Sequence, residues 1–290
     1  MTTYNIPAKK NRQGKEVWRR FKKNRTALVG LILIILILSS SLLADLIVPY
    51  NKAIEQSGQV RLQHPNSIHW FGTDHLGRDI FARVVHGSRY SLFIGFFTSI
   101  FSLVIGGMIG ALCGYYGGRF DNIVMRFMDI LMSVPPVLLA LAVVAALGAN
   151  LRNLLIAMTI SCVPSIVRLV RSVVLTVADN DYIEVARSYN SSDLRIIIKY
   201  VLANSMGPII VNTTMNIASM ILSAAGLSFI GMGVQPPAPE WGSLLSEARQ
   251  YISRAPYLLY FPGVSILITA LSFNLVGDGL RDALDPKLKD

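Results

Sequence analysis

Charge is scarce in this chain of 290 residues. Only 15% of the residues are charged and 52% are hydrophobic, whereas soluble domains carry about 25% charged residues. The apolar residues also gather in runs long enough to cross a hydrocarbon core, which takes about 20 helical residues. The shortage of charge and the length of these runs exclude a soluble globular domain and indicate an integral membrane protein.

Cysteine is scarcer still. The two cysteines, Cys113 and Cys162, both lie inside apolar runs, where a cysteine behaves as a small packing residue. We therefore expect neither a disulfide nor a redox role.

The residue patterns of common enzymes and ion-driven carriers are missing as well. The chain has no glycine-rich loop ending in Gly-Lys-Ser/Thr, no zinc-type pairing of His with Glu, and no Ser in a Gly-x-Ser-x-Gly turn. Ion-coupled carriers place ionisable groups near the bilayer midplane, but Asp45, Asp129 and Asp278 lie toward the ends of their runs. These absences argue against an enzyme, a stand-alone secondary carrier and a cofactor bound by this chain.

Six apolar runs are present, and each is interpreted as a transmembrane helix. Backbone polar groups in lipid must be paired within their own segment, so separate long runs predict a helical bundle rather than a sheet. The predicted fold is an all-α integral membrane protein with six transmembrane helices. The six runs are Ala27–Val48, Ser91–Tyr115, Ile123–Leu147, Leu154–Val177, Pro208–Met232 and Tyr257–Val276.

Basic residues give this bundle a direction. Nine lysines and arginines precede the first run, and such clusters stay in the cytoplasm. Six spans then place both termini on the cytoplasmic side of a cell membrane. This distribution accounts for the net charge of +10 without nucleic acid. A cleaved signal peptide is the alternative for the first run, but signal h-regions are shorter and lie closer to the start.

These spans divide the chain into segments. Residues 1–26 form a basic cytoplasmic segment, 27–48 the first helix and 49–90 an extracytoplasmic segment. Residues 91–278 form a five-helix core, which contains a cytoplasmic hairpin at 181–205 and an extracytoplasmic loop at 233–256. Residues 279–290 form a cytoplasmic tail.

Small residues and prolines predict how the helices pack and bend. Gly106, Gly110 and Gly114 recur every four residues, a spacing that lets another helix approach closely. Pro135 and Pro136 fall inside the third run, and each removes a backbone donor. We therefore expect that helix to bend or break there.

The half-polar stretch 181–205 separates the fourth and fifth runs. It predicts two short amphipathic helices, joined at Asn190, a residue that tolerates a left-handed backbone. The pattern leaves two interpretations, a hairpin lying on lipid or a knob that docks into another protein. The apolar faces consist of Ile183, Ala186 and Tyr189 in the first helix and Leu194, Ile197, Ile198, Val201 and Leu202 in the second.

Four stretches carry a resemblance to a known family. The hairpin resembles the cytoplasmic EAA loop of ABC-importer permeases, because Glu184 and Ala186 match its Glu-Ala-Ala signature. Asn190 stands where that family has Gly, and Ala203 replaces a frequent Pro. The other stretches are similar to the second permease subunit of dipeptide, oligopeptide and nickel importers; they are Phe71–Leu92, Pro236–Arg249 and Phe261–Pro286.

The resemblance implies a type I ABC importer permease fold and a set of partners. These are a second, non-identical permease, two ATPase subunits that bind ATP and Mg on the cytoplasmic face, and a substrate-binding protein outside. The chain itself would then be a translocation subunit surrounded by membrane lipid. The implied cargo is a di- or oligopeptide, with nickel or another small solute as the alternative.

The resemblance also implies roles for particular residues. Apart from the resemblance, four histidines of the outer segment are candidate metal ligands, but their irregular spacing favours a polar surface; they are His64, His69, His75 and His86. The outer candidates for binding-protein contact or gating are Asp74, Arg78, Asp79 and Trp241. The residues expected to contact an ATPase are Ile183, Glu184, Ala186, Arg187, Tyr189, Asn190, Asp193 and Leu194.

Overall fold

A computed structural model describes residues 10–284, with side chains described from residue 14 onward. Residues 1–9 of the basic segment and 285–290 of the tail lie outside this description. Within it the chain is helical, and its one β-type pairing is an isolated bridge between Thr73 and Asp79. The helices are α1 (Lys10–Phe21), α2 (Arg25–Leu42), α3 (Ala44–Ile47), α4 (Asn51–Ile54), α5 (Ile80–Tyr116), α6 (Gly118–Met132), α7 (Pro136–Leu147), α8 (Leu151–Ala178), α9 (Asp181–Ser188), α10 (Asp193–Arg195), α11 (Ala203–Phe229), α12 (Trp241–Ala248) and α13 (Tyr257–Leu284); short 3-10 turns occupy Gly58–Val60 and Arg249–Tyr251.

Five helical segments are long and apolar enough to cross a membrane, namely α2, α5, α8, α13 and the continuous helix from α10 through α11. The pair α6 and α7 makes a sixth span when it is counted as one. This pair bends by 82°, and the break falls at Pro135 and Pro136, as predicted, because a proline cannot donate to the preceding turn. The all-α bundle agrees with the predicted fold class.

The second span begins earlier than its apolar run suggests. α5 starts at Ile80 rather than Ser91, because the Asp79 side chain caps it by accepting a hydrogen bond from the Ala82 N–H at 2.9 Å. The first turns carry charged residues such as Arg83, which is buried against other protein segments. The helix therefore extends past the stretch that hydropathy identifies.

The first span is shorter than predicted. α2 ends at Leu42, and the separate short helix α3 occupies most of the remaining run to Val48. The Arg89 side chain donates to the carbonyl oxygens of Ser41 and Leu42, at 2.7 and 3.1 Å. It thereby satisfies two backbone acceptors that the end of a helix leaves open.

A stripe of glycines lets α5 and α8 approach closely. A Cβ atom added at Gly106, Gly110 or Gly114 would lie less than 3.0 Å from an atom of α8. Contacts this short would force the neighbouring atoms to shift. The spacing of four thus serves helix packing. The distances are 2.9 Å from Gly106 to Ile166 Cβ, 2.6 Å from Gly110 to the Val167 carbonyl oxygen, and 2.7 Å from Gly114 to Val174 Cγ1.

The bundle has two ends with different contents. We call residues 49–79 together with α12 the loop end. The hairpin end consists of residues 181–202 and α1, whose Phe21 lies against Gly279 near the end of α13. The candidate site residues fall into two groups, one at each end.

Candidate functional site

The hairpin is built from two short helical arms joined by a tight turn. Asn190, just after α9, has a left-handed backbone with φ of 54°. The Ser191 N–H donates to the Ala186 carbonyl at 3.2 Å, and the Asn190 N–H donates to the Arg187 carbonyl at 2.9 Å. These two bonds form a Schellman cap. Asparagine takes the position that glycine usually fills and fixes the angle between the arms.

The second arm departs from a regular α-helix. Ile196–Leu202 forms a π-helical segment, in which residues five apart align. Ile196 and Val201 are accordingly both fully buried, whereas Leu194 and Ile198 are 68% and 58% exposed. The predicted apolar faces are wrong at Leu194 and Ile198, and also at Tyr189, which is 83% exposed. The π segment accounts for Ile198, because it changes which of its side chains point inward.

The inward face of the hairpin belongs to the core of the bundle. Ile183 of α9 and Ile196 and Val201 of the second arm share one apolar cluster with Ala111 of α5 and Val170 of α8. The three hairpin side chains are 0% exposed, and burying such a side chain stabilises the fold by about 1.5–3 kcal/mol. The hairpin is therefore packed firmly against the spans.

The outward face carries six of the eight residues predicted to contact an ATPase. Ile183 and Ala186 are 0% and 9% exposed, because their spacing of three places both on the buried stripe of α9. Both side chains are turned inward in this structure, and their contact with a partner stays a prediction. Within residues 10–284 the Glu184 side chain makes no hydrogen bond, so its charge remains available to a partner. The six exposed residues are Glu184, Arg187, Tyr189, Asn190, Asp193 and Leu194.

One exposed hairpin residue is also tied to the bundle. The Tyr115 hydroxyl donates to Asp193 Oδ1 at 2.8 Å, and the Tyr116 hydroxyl donates to Asp193 Oδ2 at 3.2 Å. The Arg187 guanidinium lies 4.9 Å from the centre of the Tyr115 ring, a distance typical of a cation–π contact. Both carboxylate oxygens of Asp193 are thus bound by the last residues of α5.

The loop end contains a buried cluster of four charged side chains. Arg78 and Arg83 are 2% and 0% exposed. Both pair with Asp74, at 2.6 and 2.7 Å. Both also pair with Glu247 of α12, which lies 2.8 Å from Arg83. This cluster joins the loop, the first turns of α5 and α12 into one unit.

The arginines keep both carboxyl groups of this cluster ionised. Burial by itself favours the neutral form of Asp74, but the charges of Arg83 and Arg78 outweigh it and hold the pKa of Asp74 below its ordinary value. Burial acts in the same direction on Glu247, and the hydrogen bond and charge of Arg83 again lower its pKa. Two positive and two negative charges therefore balance one another inside the protein.

The four outer candidates have internal contacts. Asp74, Arg78, Asp79 and Trp241 are at most 8% exposed. Asp79 caps α5, and the Trp241 Nε1–H donates to the Val84 carbonyl at 2.9 Å. Their polar atoms are turned inward in this structure, and their contact with a binding protein stays a prediction. Their role in gating stays a prediction.

The four histidines, all in the described part of the chain, lie in separate contacts rather than in one site. The possible ligand atoms of Asp74, His75 and Glu247 lie within 4.8 Å of one another. Both carboxylates already pair with arginines, so this set offers little charge to a cation. The histidine contacts are His64 with the Tyr257 ring, His69 with Asp79, His75 with the Tyr251 ring, and His86 with the Val48 carbonyl.

The sequence interpretation missed four residues that these contacts single out. Asp74 and Arg78 were among the predicted outer candidates, but both lie outside a helix, so no helical spacing linked them into a charged cluster. The sequence did not identify Arg83 or Glu247, which lies far along the chain. Nothing in the sequence singled out Tyr115, the last residue of its apolar run, or Tyr116, which follows it.

Comparison with known proteins decides the family. The profile of the family described as "binding-protein-dependent transport system inner membrane component" matches residues 106–290. This chain belongs to that family. A second profile, "N-terminal TM domain of oligopeptide transport permease C", matches residues 12–65 of the permease. The resemblance to ABC-importer permeases is thereby confirmed.

Relatives cover nearly the whole permease. It is 46% identical over 275 residues to the dipeptide transport system permease protein DppC of Alkalihalophilus pseudofirmus, which covers 95% of this chain and 90% of that protein. It is 44% identical to the di/tripeptide transport system permease protein DppC of Pseudomonas aeruginosa, over 95% and 93% of the two chains. It is 42% identical to the glutathione transport system permease protein GsiD of Pectobacterium atrosepticum, over 95% and 91%.

Solved structures confirm the fold of the permease. An inward-facing crystal form of the MetNI methionine ABC transporter contains a chain that matches it with a TM-score of 0.58 at 19% identity. The match covers 71% of this chain and 98% of that one. The predicted type I ABC importer permease fold is therefore confirmed.

Proposed function

We propose that this permease forms half of the translocation path of an ATP-driven importer and that separate ATPase subunits hold the ATP and Mg. The observation that carries the proposal is the hairpin, whose inward face is locked into the core while its outward face is exposed. Glu184, Tyr189 and Leu194 present a charge, an aromatic ring and an aliphatic side chain on that outward face. A fixed knob of this kind suits docking into a groove of another protein.

The orientation follows from the basic residues at the hairpin end. Lys22, Lys23 and Arg25 immediately precede or begin α2, and basic residues beside a first span stay in the cytoplasm. The hairpin end would then be cytoplasmic, and the loop end would face a substrate-binding protein outside. A second, homologous permease would complete the path, since several spans of this chain expose large apolar side chains.

Small peptides are the proposed cargo. Relatives at 42–46% identity are named for dipeptide, di/tripeptide and glutathione transport, which supports peptides over nickel or another small solute. The measurement is uptake of a labelled dipeptide by cells with and without this permease, with labelled Ni²⁺ as the comparison. Loss of Ni²⁺ uptake alone would contradict the peptide assignment.

Reversing the charge of Glu184 tests the docking hypothesis. The Glu184 side chain makes no hydrogen bond within the described residues, so Glu184→Lys breaks no internal contact of this kind. The substitution should weaken co-purification of the ATPase subunits and peptide uptake about tenfold. That loss corresponds to about 1.4 kcal/mol, which a charge pair at an interface supplies. The control for co-purification is Glu55→Lys, an equal reversal at an exposed position of the opposite end of the bundle. Unchanged co-purification and uptake in Glu184→Lys would refute docking through this face.

A further inference from the structure

Asp193 is exposed on the hairpin, yet its carboxylate is used inside the chain. It receives both tyrosine hydroxyls at the end of α5, from Tyr115 and Tyr116. We propose that Asp193 is a positioning residue that couples the hairpin to α5, so that a displacement of the hairpin by an ATPase becomes a displacement of this span. The inference rests on the proposed function and assigns a role that sequence resemblance did not give to Tyr115 and Tyr116.

The chemistry of the contact suits a fixed coupling. Hydrogen bonds to a charged acceptor are stronger than neutral ones, and here both oxygens of one carboxylate are engaged. Tyr115 is 9% exposed, so water competes poorly for its hydroxyl. The Arg187 guanidinium above the Tyr115 ring adds a second tie from the other arm of the hairpin. Both arms of the hairpin are therefore attached to one tyrosine.

Connectivity explains why α5 needs such a contact. The hairpin follows α8 directly through Asp179 and Asn180, so the backbone itself would transmit a displacement of the hairpin to α8. α5 has no such link, since Tyr115 and Asp193 are 78 positions apart along the chain. Besides the contact of Arg187 with the Tyr115 ring, α5 meets the hairpin through apolar contacts such as those of Ala111, which are non-directional. Directional hydrogen bonds fix the position of α5 relative to the hairpin. Apolar packing alone defines that position less sharply.

The test uses the assembled transporter in lipid vesicles, with its ATPase subunits and binding protein. Tyr115→Phe and Tyr116→Phe each remove one hydroxyl and keep the ring, and Tyr115→Phe also keeps the contact with Arg187. The double variant should retain the ATPase subunits and an ATP hydrolysis rate within about twofold, while peptide imported per ATP falls about tenfold, as expected for a typical coupling energy. Asp193→Asn should show the same separation of hydrolysis from import.

A double-mutant cycle distinguishes a direct contact from general damage. If Asp193 acts through the tyrosines, Asp193→Asn adds little to the loss already caused by the tyrosine pair, because the same bonds are removed. The matched control is Asp179→Asn, which removes a charge from an exposed residue at the same end without touching α5. It should leave import per ATP unchanged.

Three results would overturn the inference. They are unchanged coupling in the tyrosine double variant, additive losses in the cycle, or loss of the ATPase subunits from Asp193→Asn alone, which would make Asp193 a docking contact. Failure of the proposed function looks different, because the unaltered chain would then not retain ATPase subunits at all. The tyrosine variants also keep the test valid if Asp193→Asn fails to insert.

Discussion

Replacing Glu247 with glutamine tests whether the loop end depends on its buried charges. In the folded protein two arginines and two carboxylates balance, and Arg83 is 0% exposed while the Glu247 side chain is 16% exposed. Glu247→Gln keeps the size and removes one negative charge, which leaves Arg78 and Arg83 facing Asp74 alone. Removing one member of a buried ion pair costs about 3–5 kcal/mol.

The expected loss lies near the lower limit of that range, because Glu247 retains some contact with solvent. A loss of about 3 kcal/mol lowers the melting temperature of a chain of this size by about 6–12 °C. The two cysteines supply the assay, since Cys113 and Cys162 are free and buried, as the sequence predicted. A thiol-reactive fluorophore in detergent therefore reports unfolding as these thiols become accessible.

The control for this prediction is Glu55→Gln, the same substitution at an exposed position of the loop end. Its melting temperature should stay within about 1 °C, because substitutions on the surface usually change stability by less than 0.5 kcal/mol. A melting temperature of Glu247→Gln that also stays within about 2 °C of the unaltered protein would refute the reasoning. It would mean that water or a rearranged side chain compensates the unpaired arginines.

Three further predictions concern pH, helix packing and the hairpin turn. The lowered pKa values of Asp74 and Glu247 stabilise the folded protein above the ordinary carboxyl pKa, and this stability is lost as pH falls through the lowered values. When the pH is lowered below about 4, the melting temperature should therefore fall less in Glu247→Gln than in the unaltered protein. Gly110→Ala should cost about 1–3 kcal/mol by overpacking, whereas Gly107→Ala, whose Cβ would lie 3.7 Å from its nearest neighbour, should be neutral or stabilising in the same thermal assay; equal effects would contradict the role of the stripe. Asn190→Ala should cost about 1 kcal/mol and Asn190→Gly should be tolerated, because only the alanine is strained in a left-handed backbone; the reverse order of melting temperatures would contradict the cap.

Local rules predicted much of the hairpin from sequence. Asn190 could be placed at a left-handed turn because few other residues tolerate that conformation, and the buried stripe of Ile183 and Ala186 follows helical spacing. The second arm could not be predicted in the same way. A π-helical segment leaves no periodic signature in seven residues, so α-helical spacing assigned Ile198 to the wrong face.

The loop end was harder to predict because its organisation depends on contacts distant in sequence. Glu247 and Arg83 form a pair although they are 164 positions apart in the sequence, and no local spacing predicts such a pair. The same pair explains why the start of α5 was missed. Charged residues such as Arg83 are assigned to a segment outside the membrane helix when their buried partners are not known. The burial of Trp241 likewise depends on the Val84 carbonyl, which only the folded chain brings near.

α5 connects these two ends, and its continuity gives their contacts a common meaning. It is 37 residues long without a proline, so it spans about 55 Å as one rod, well beyond the roughly 30 Å of a hydrocarbon core. α8, α11 and α13 each contain a proline. Arg83 anchors α5 to the buried charges of the loop end, and its terminal tyrosines bind Asp193 at the hairpin. On the proposed coupling, a displacement applied to the hairpin would be carried along an unbroken helix to the segment that holds α12, whereas a bent helix would absorb part of it at the bend.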